Sequence, residues 1–135
     1  MKIAQYGTAI VVLHILTNGL HGLAHMKIPV ALSLLQSSFV GMVIFLVPVT
    51  AAILLWTPFY RIGCWLLLSA MTGSLVFAIY NHLVVISPDH VSQVSWEGWG
   101  LLFQVSAILI LVVNGVGCWL SARALMRDQQ LEKML

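Results

Sequence analysis

Apolar residues run almost without interruption through four stretches of the chain, at about residues 3–25, 31–56, 62–85 and 99–121. Each is long enough for a helix that crosses the hydrocarbon of a bilayer, which needs roughly 20 apolar residues. A transmembrane β-strand would alternate polar and apolar positions. These runs are continuous, so the pattern predicts helices.

The breaks between the runs are chemically marked. Pro29 closes Met26-Lys27-Ile28-Pro29, and a proline disfavours helix at the residue before it. Thr57-Pro58-Phe59-Tyr60-Arg61 reads as a tight turn. Ser87-Pro88-Asp89-His90 opens a polar loop that lasts to Glu97. Pro48 falls inside the second run and predicts a kink, which membrane helices tolerate when neighbours re-satisfy the freed carbonyl. The tail, 122–135, turns polar but keeps apolar residues at 125, 126, 131, 134 and 135. It could lie on the membrane or bind a partner helix, and a solvated helical extension is the plainer reading. The expected fold is all-α, a single transmembrane domain over 1–135. It is an integral membrane four-helix bundle, up-down-up-down, with short loops and a short C-terminal helical tail.

Composition supports lipid as the solvent. The 135 residues are 61% hydrophobic and 7% charged, against about a quarter charged in soluble domains. Four crossings nearly exhaust this length. The net charge of +2 comes from six Lys/Arg against four Asp/Glu, with no basic cluster of the kind that binds nucleic acid. There is no P-loop, Gly-rich dinucleotide fingerprint or Ser/His/Asp motif.

The few charges set an orientation. Lys2, Arg61, Arg123, Arg127 and Lys133 fall on one side and only Lys27 on the other. By the positive-inside bias both termini are cytoplasmic, in a bacterial inner membrane or its equivalent, and the 86–98 loop faces outward. Trp56, Tyr60, Trp65 and Trp119 fall near the inner interface and Trp96 and Trp99 near the outer, as aromatic belts do. Lys2, the first apolar run and Gly22-Leu23-Ala24 also loosely resemble a secretory signal. His14, Thr17 and Asn18 interrupt that run and suit a bundle helix better.

Candidate chemistry concentrates in five histidines. His14, Asn18, His21 and His25 fall at i, i+4, i+7 and i+11, one stripe of a helix. Polar groups on such a stripe should face the bundle interior or a water-filled cavity. The first and third helices run in the same direction, so His21, His25, His82 and His90 converge on the extracytoplasmic rim, with Asp89 beside them. His14 lies deeper. Ala70, Gly73, Ser74 and Asn81 offer a small, polar-tinged face on the third helix, Gly19 and Gly22 allow close approach on the first, and Gln104 reaches a similar depth on the fourth.

His21-x-x-x-His25 offers two nitrogens one turn apart, a common start to a metal site. His82, His90 or Asp89 would complete it. Imidazole and carboxylate suit a divalent transition metal, zinc, copper or iron. Gly22 stands where a zinc protease carries its glutamate, which excludes that hydrolase mechanism. A haem b held between His21 and His82 is an alternative, with Gly19, Gly22 and Gly73 making room. Histidines at an interface can also simply snorkel or hydrogen-bond across helices. The chain would then be a non-catalytic accessory or assembly subunit, with a membrane-protein partner or a second copy of itself. Asn18, Asn81 and Asn114 read as interhelical hydrogen bonds. Gln36, Ser37 and Ser38 read as the outer end of the second helix. Cys64 and Cys118 lie at the cytoplasmic end, each in Gly-Cys-Trp-Leu, with no CxxC, and read as free thiols. The repeat invites a close glycine contact between the third and fourth helices. Whether the chain is an enzyme, and of what reaction, does not follow from these residues.

Overall fold

The computed structural model describes residues 2–28 and 30–132, without the side chains of 128, 131 and 132. The break assigned to Pro29, the charge of Lys133 and the apolar tail positions Leu131, Met134 and Leu135 lie outside the described residues or side chains. The chain is all-helical, with no strand among the described residues. Helices α1 (Lys2–Lys27), α2 (Leu34–Leu54), α3 (Tyr60–Val84) and α4 (Trp99–Glu132) are each long and apolar enough to cross a membrane. A short 3₁₀ turn, Val91–Gln93, interrupts the α3–α4 loop.

α2 starts later than its apolar run because Ser33 caps it. The Ser33 hydroxyl accepts the Gln36 N–H at 3.2 Å, and Gln36 Oε1 accepts the Ser33 N–H at 2.8 Å. This Ser-x-x-Gln capping box satisfies two donors that a helix start leaves open.

The irregular part of α2 explains the deepest histidine. Val40–Leu46 is π-helical and ends beside Pro48, which has no N–H for the carbonyl four residues back, that of Ile44. His14 reaches across from α1 and donates Nε2–H to Ile44 O at 2.8 Å. A carbonyl only accepts, so the ring proton sits on Nε2 and Nδ1 is left as an acceptor. Nδ1 lies 3.3 Å from Asn18 Nδ2 and 2.9 Å from the Asn114 side-chain amide, which also meets Ser74 Oγ at 3.0 Å. The two ends of an amide are interchangeable by geometry. With the Asn114 NH₂ on His14 and its oxygen on the Ser74 hydroxyl, every member is satisfied. His14, Ser74 and Asn114 are fully buried. This network joins all four helices at mid-depth.

Around it, α1 buries Ala4, Gly7, Val11, His14, His21 and Ala24, the three- and four-residue steps of one helical stripe. The stripe packs on Cys64, Leu67 and Met71 of α3 and on Leu125 of α4. Gly117 lets three helices meet: a Cβ there would fall 2.8 Å from Met71 Cγ and 3.3 Å from Ile10 Cγ2. Gly63 closes the α2–α3 turn, where a Cβ would lie 3.0 Å from Leu55 N and 3.1 Å from Ala51 O. The two Gly-Cys-Trp-Leu glycines thus make close contacts with different neighbours rather than with each other. The outward faces are apolar as well, with Val12, Leu16, Leu20, Ile53, Ile108 and Val112 exposed. Helices apolar around their whole circumference match lipid better than water.

Candidate metal centre

α3 ends in a second π-helical stretch, Tyr80–Val84, closed by Val85 N–H donating to Tyr80 O at 2.9 Å. A regular α-turn separates neighbours by about 100°. The wider turn lets both Asn81 and His82 face inward, and both are buried. π-turns of this kind recur at functional sites. Beyond it the chain folds back through Ser87, whose hydroxyl accepts the Asp89 N–H at 3.2 Å and whose carbonyl accepts the His90 N–H at 2.9 Å. That turn lays Asp89 over the ends of α1 and α3. Gln104 on α4 holds the rest of the loop, donating to Val91 O at 2.6 Å and to Val94 O at 2.9 Å.

The result is a compact cluster. His21, His82 and Asp89 are buried, and each offers a ligand atom within 4.8 Å of the others, so the group could hold a metal ion. His25 joins them: its Nε2 lies 3.2 Å from His21 Nε2 and 3.2 Å from Asp89 Oδ1. Ligand atoms around an ion with bonds of about 2.0–2.2 Å stand roughly 3–3.5 Å apart. The His25 pairs already have that spacing.

Hydrogen bonding fixes which nitrogens are free. Ser106 Oγ gives its one proton to the Leu102 or Phe103 carbonyl, at 2.6 and 3.0 Å, and therefore accepts from His21 Nδ1 at 2.9 Å. His82 Nδ1 donates to the Asp89 carbonyl at 3.0 Å. His25 Nδ1 faces the Val30 carbonyl at 3.4 Å. His21 and His82 thus turn Nδ1 to an oxygen acceptor and keep the lone pair on Nε2, while the Nε2 of His25 faces both His21 and Asp89. This is how metal-ligating histidines are oriented by their outer partners. The Nε2 atoms of His21 and His25 face each other at 3.2 Å, a spacing that either a proton on His25 Nε2 or a cation bound between them satisfies.

Asp89 supplies the anion. Its Oδ1 is buried without an aligned hydrogen bond, although His25 Nε2 and His82 Nδ1 stand at 3.2 and 3.3 Å. Burial pushes the carboxyl pKa up, but contacts with His25 and His82 outweigh it and hold the group at about 2. Asp89 is a carboxylate at any working pH. Phe103 seals the cluster, with ring centroids 4.6 Å from His21, 5.3 Å from His25 and 5.4 Å from His82.

The structure brings His21, His25, His82 and Asp89 together. His90 stands apart: its backbone caps the 3₁₀ turn, and its Nδ1 lies 2.8 Å from Ser92 Oγ and accepts the Ser92 N–H at 3.1 Å. Asn81 bonds Gln36 Nε2 at 3.0 Å, a link from α3 to α2. Gly73 packs on Val43 and Phe39 of α2. Sequence reasoning missed Phe103 and Ser106. The signal was present: Phe103, Ser106, Ile110, Asn114, Gly117 and Ser121 form one buried stripe of α4. Small and polar residues at helical spacing in an apolar helix mark its packed face.

No protein-family model, curated protein or solved structure matches this chain.

Proposed function

We propose that the chain is a membrane-embedded metal protein, holding a divalent first-row ion at the extracytoplasmic end of an up-down-up-down bundle. Its ligands are His21, His82 and Asp89, with His25 Nε2 as the fourth donor. The observation that carries this reading is the buried convergence of His21, His82 and Asp89, each with a ligand atom within 4.8 Å of the others. His25 Nε2 joins them, 3.2 Å from both His21 Nε2 and Asp89 Oδ1, and that buried carboxylate oxygen has no aligned donor. Imidazole and carboxylate donors favour zinc or iron over Cu(I), which prefers sulfur. The role that fits is metal handling or redox chemistry at the outer surface.

Orientation rests on the Lys and Arg bias, and the tryptophans at both ends mark the two interfaces. The haem alternative has less support. The His21 and His82 rings meet edge to face with centroids 4.8 Å apart, and Phe103 packs on both. A porphyrin between two axial ligands needs a planar slot there.

Elemental analysis of tag-free protein in mild detergent tests the assignment. Near-stoichiometric zinc, iron or copper is expected, and a His21→Ala/His82→Ala variant should lose it. No metal in either sample, even after metals are offered back under oxidising and reducing conditions, would sink the metal reading and favour an accessory subunit. A Soret band in the fresh protein would favour haem b.

A further inference from the structure

Below the cluster, a cavity of about 630 Å³ lies between α1, α2 and α3, with Ile110 of α4 also in its wall. His21, His25, His82 and Asp89 border one end, and Ile44, Ser74 and Ile110 the other. Ser74 and His82 are eight residues apart on α3, so the cavity runs about 12 Å along the bundle. Between the ends its wall is mostly apolar, formed by Val40, Phe45, Phe77 and Ala78. The deep network described above lies at its floor, since His14 bonds the Ile44 carbonyl and Asn114 bonds Ser74. One flank is open: Gly19 and Gly22 line the cavity, are exposed, and would each carry a Cβ with nothing within 4 Å.

A site serving only water-soluble metal ions has no use for such a chamber. A polar substrate would find few partners below the histidines, whereas an opening on the bundle's flank admits what is dissolved in lipid. Charge selects the head group. A divalent ion on neutral imidazoles and one carboxylate keeps one positive charge beside an apolar space. An uncompensated charge there is costly. One anionic oxygen donor cancels it. Depth agrees: the metal centre lies at the helix ends and the chamber extends toward mid-bilayer, as a single-chain amphiphile does.

We propose that the cavity binds a long-chain lipid carboxylate, a fatty acid anion. Its carboxylate joins the four protein donors as a fifth ligand to the metal, and its alkyl chain descends past Gly19, Val40 and Phe45. This rests on the metal reading above.

Cobalt(II) loaded into the protein tests it, because visible cobalt bands report the ligand set directly. Laurate, added in a non-ionic detergent, should shift the bands saturably, while dodecanol, the same chain without the charge, should not. Gly19→Leu fills the chamber away from the metal ligands. It should keep the cobalt bands yet weaken the laurate response at least ~10-fold, and Gly19→Ala, which leaves room, should stay within ~3-fold of wild type. Bands that laurate leaves unchanged, that dodecanol shifts equally, or that respond fully in Gly19→Leu would overturn the lipid carboxylate and leave the metal centre standing. No cobalt bands in the wild type would overturn the metal centre, and the ligand with it.

Discussion

The bond from His14 to the Ile44 carbonyl can be weighed against the proline that makes it necessary. His14→Leu removes the Nε2–H donor to Ile44 O at 2.8 Å and the ring nitrogen that meets Asn114 at 2.9 Å. Interhelical hydrogen bonds in membrane proteins average about 0.6 kcal/mol and reach about 1.7. Stranding a buried polar partner costs about 1–3 kcal/mol. The substitution should therefore destabilise by about 2–4 kcal/mol. Pro48→Ala restores an N–H four residues after Ile44, so in that background His14→Leu should cost about 1 kcal/mol less. The space left by the smaller side chain is common to both backgrounds and cancels in the cycle. Equilibrium unfolding in mixed micelles, followed through the five tryptophans, gives all four stabilities. Unrelated sites add to within roughly 0.3–0.5 kcal/mol. A cycle that closes inside that range would refute the claim that His14 compensates for Pro48.

Four further outcomes follow from the geometry. Ser106→Ala, which frees His21 Nδ1 from its acceptor, should weaken metal affinity about 10- to 100-fold, while His90→Ala leaves it unchanged; metal-competition titration reads both, and the reverse order would reject the ligand set. Gly63→Ala drives a Cβ against the α2 backbone and should cost about 1–3 kcal/mol, whereas Gly115→Ala, with nothing within 4 Å, should be neutral or gain up to about 1 kcal/mol. In the metal-free protein the carboxyl of Asp89 is held at about 2, below its ordinary 3.8. A depressed carboxyl stabilises the fold above its unfolded pKa and loses that contribution as pH falls through the folded one. The thermal advantage of wild type over Asp89→Asn should thus be full above about pH 4 and vanish toward about pH 2; a difference that stays constant over that range would count against the pairing with His25 and His82. With Cys64 and Cys118 replaced by Ser, Glu97→Cys in intact cells should react with a membrane-impermeant maleimide; labelling only after lysis would reverse the orientation.

The four helices were legible because each is a long, uninterrupted apolar run, and such runs survive any detail of packing. The convergence of His21, His25 and His82 was legible for a related reason. In a bundle of antiparallel neighbours, depth along one helix predicts depth along the next, so residue number alone brings the three to one end. Facing is harder. It depends on rotation about each helix axis, and here two π-helical stretches reset that rotation where it matters. At Tyr80–Val84 both Asn81 and His82 lie buried in the wide turn. At Val40–Leu46 it opens α2 where His14 enters. Pro48 announced a disturbance, and the expectation that a neighbour would re-satisfy the freed carbonyl was sound in kind, but no spacing rule could name His14 as that neighbour. The loop followed yet another logic. His90 and Asp89 are adjacent and equally plausible as donors in sequence. The Ser87 turn gives the inward position to Asp89 and leaves His90 to cap the 3₁₀ turn. The choice between them is made by backbone hydrogen bonds of the loop, and Gln104 on α4 pins that loop from the far side. Gln104 therefore acts on the cluster through the loop backbone, holding the segment that delivers Asp89 and keeping that carboxylate over His25 and His82.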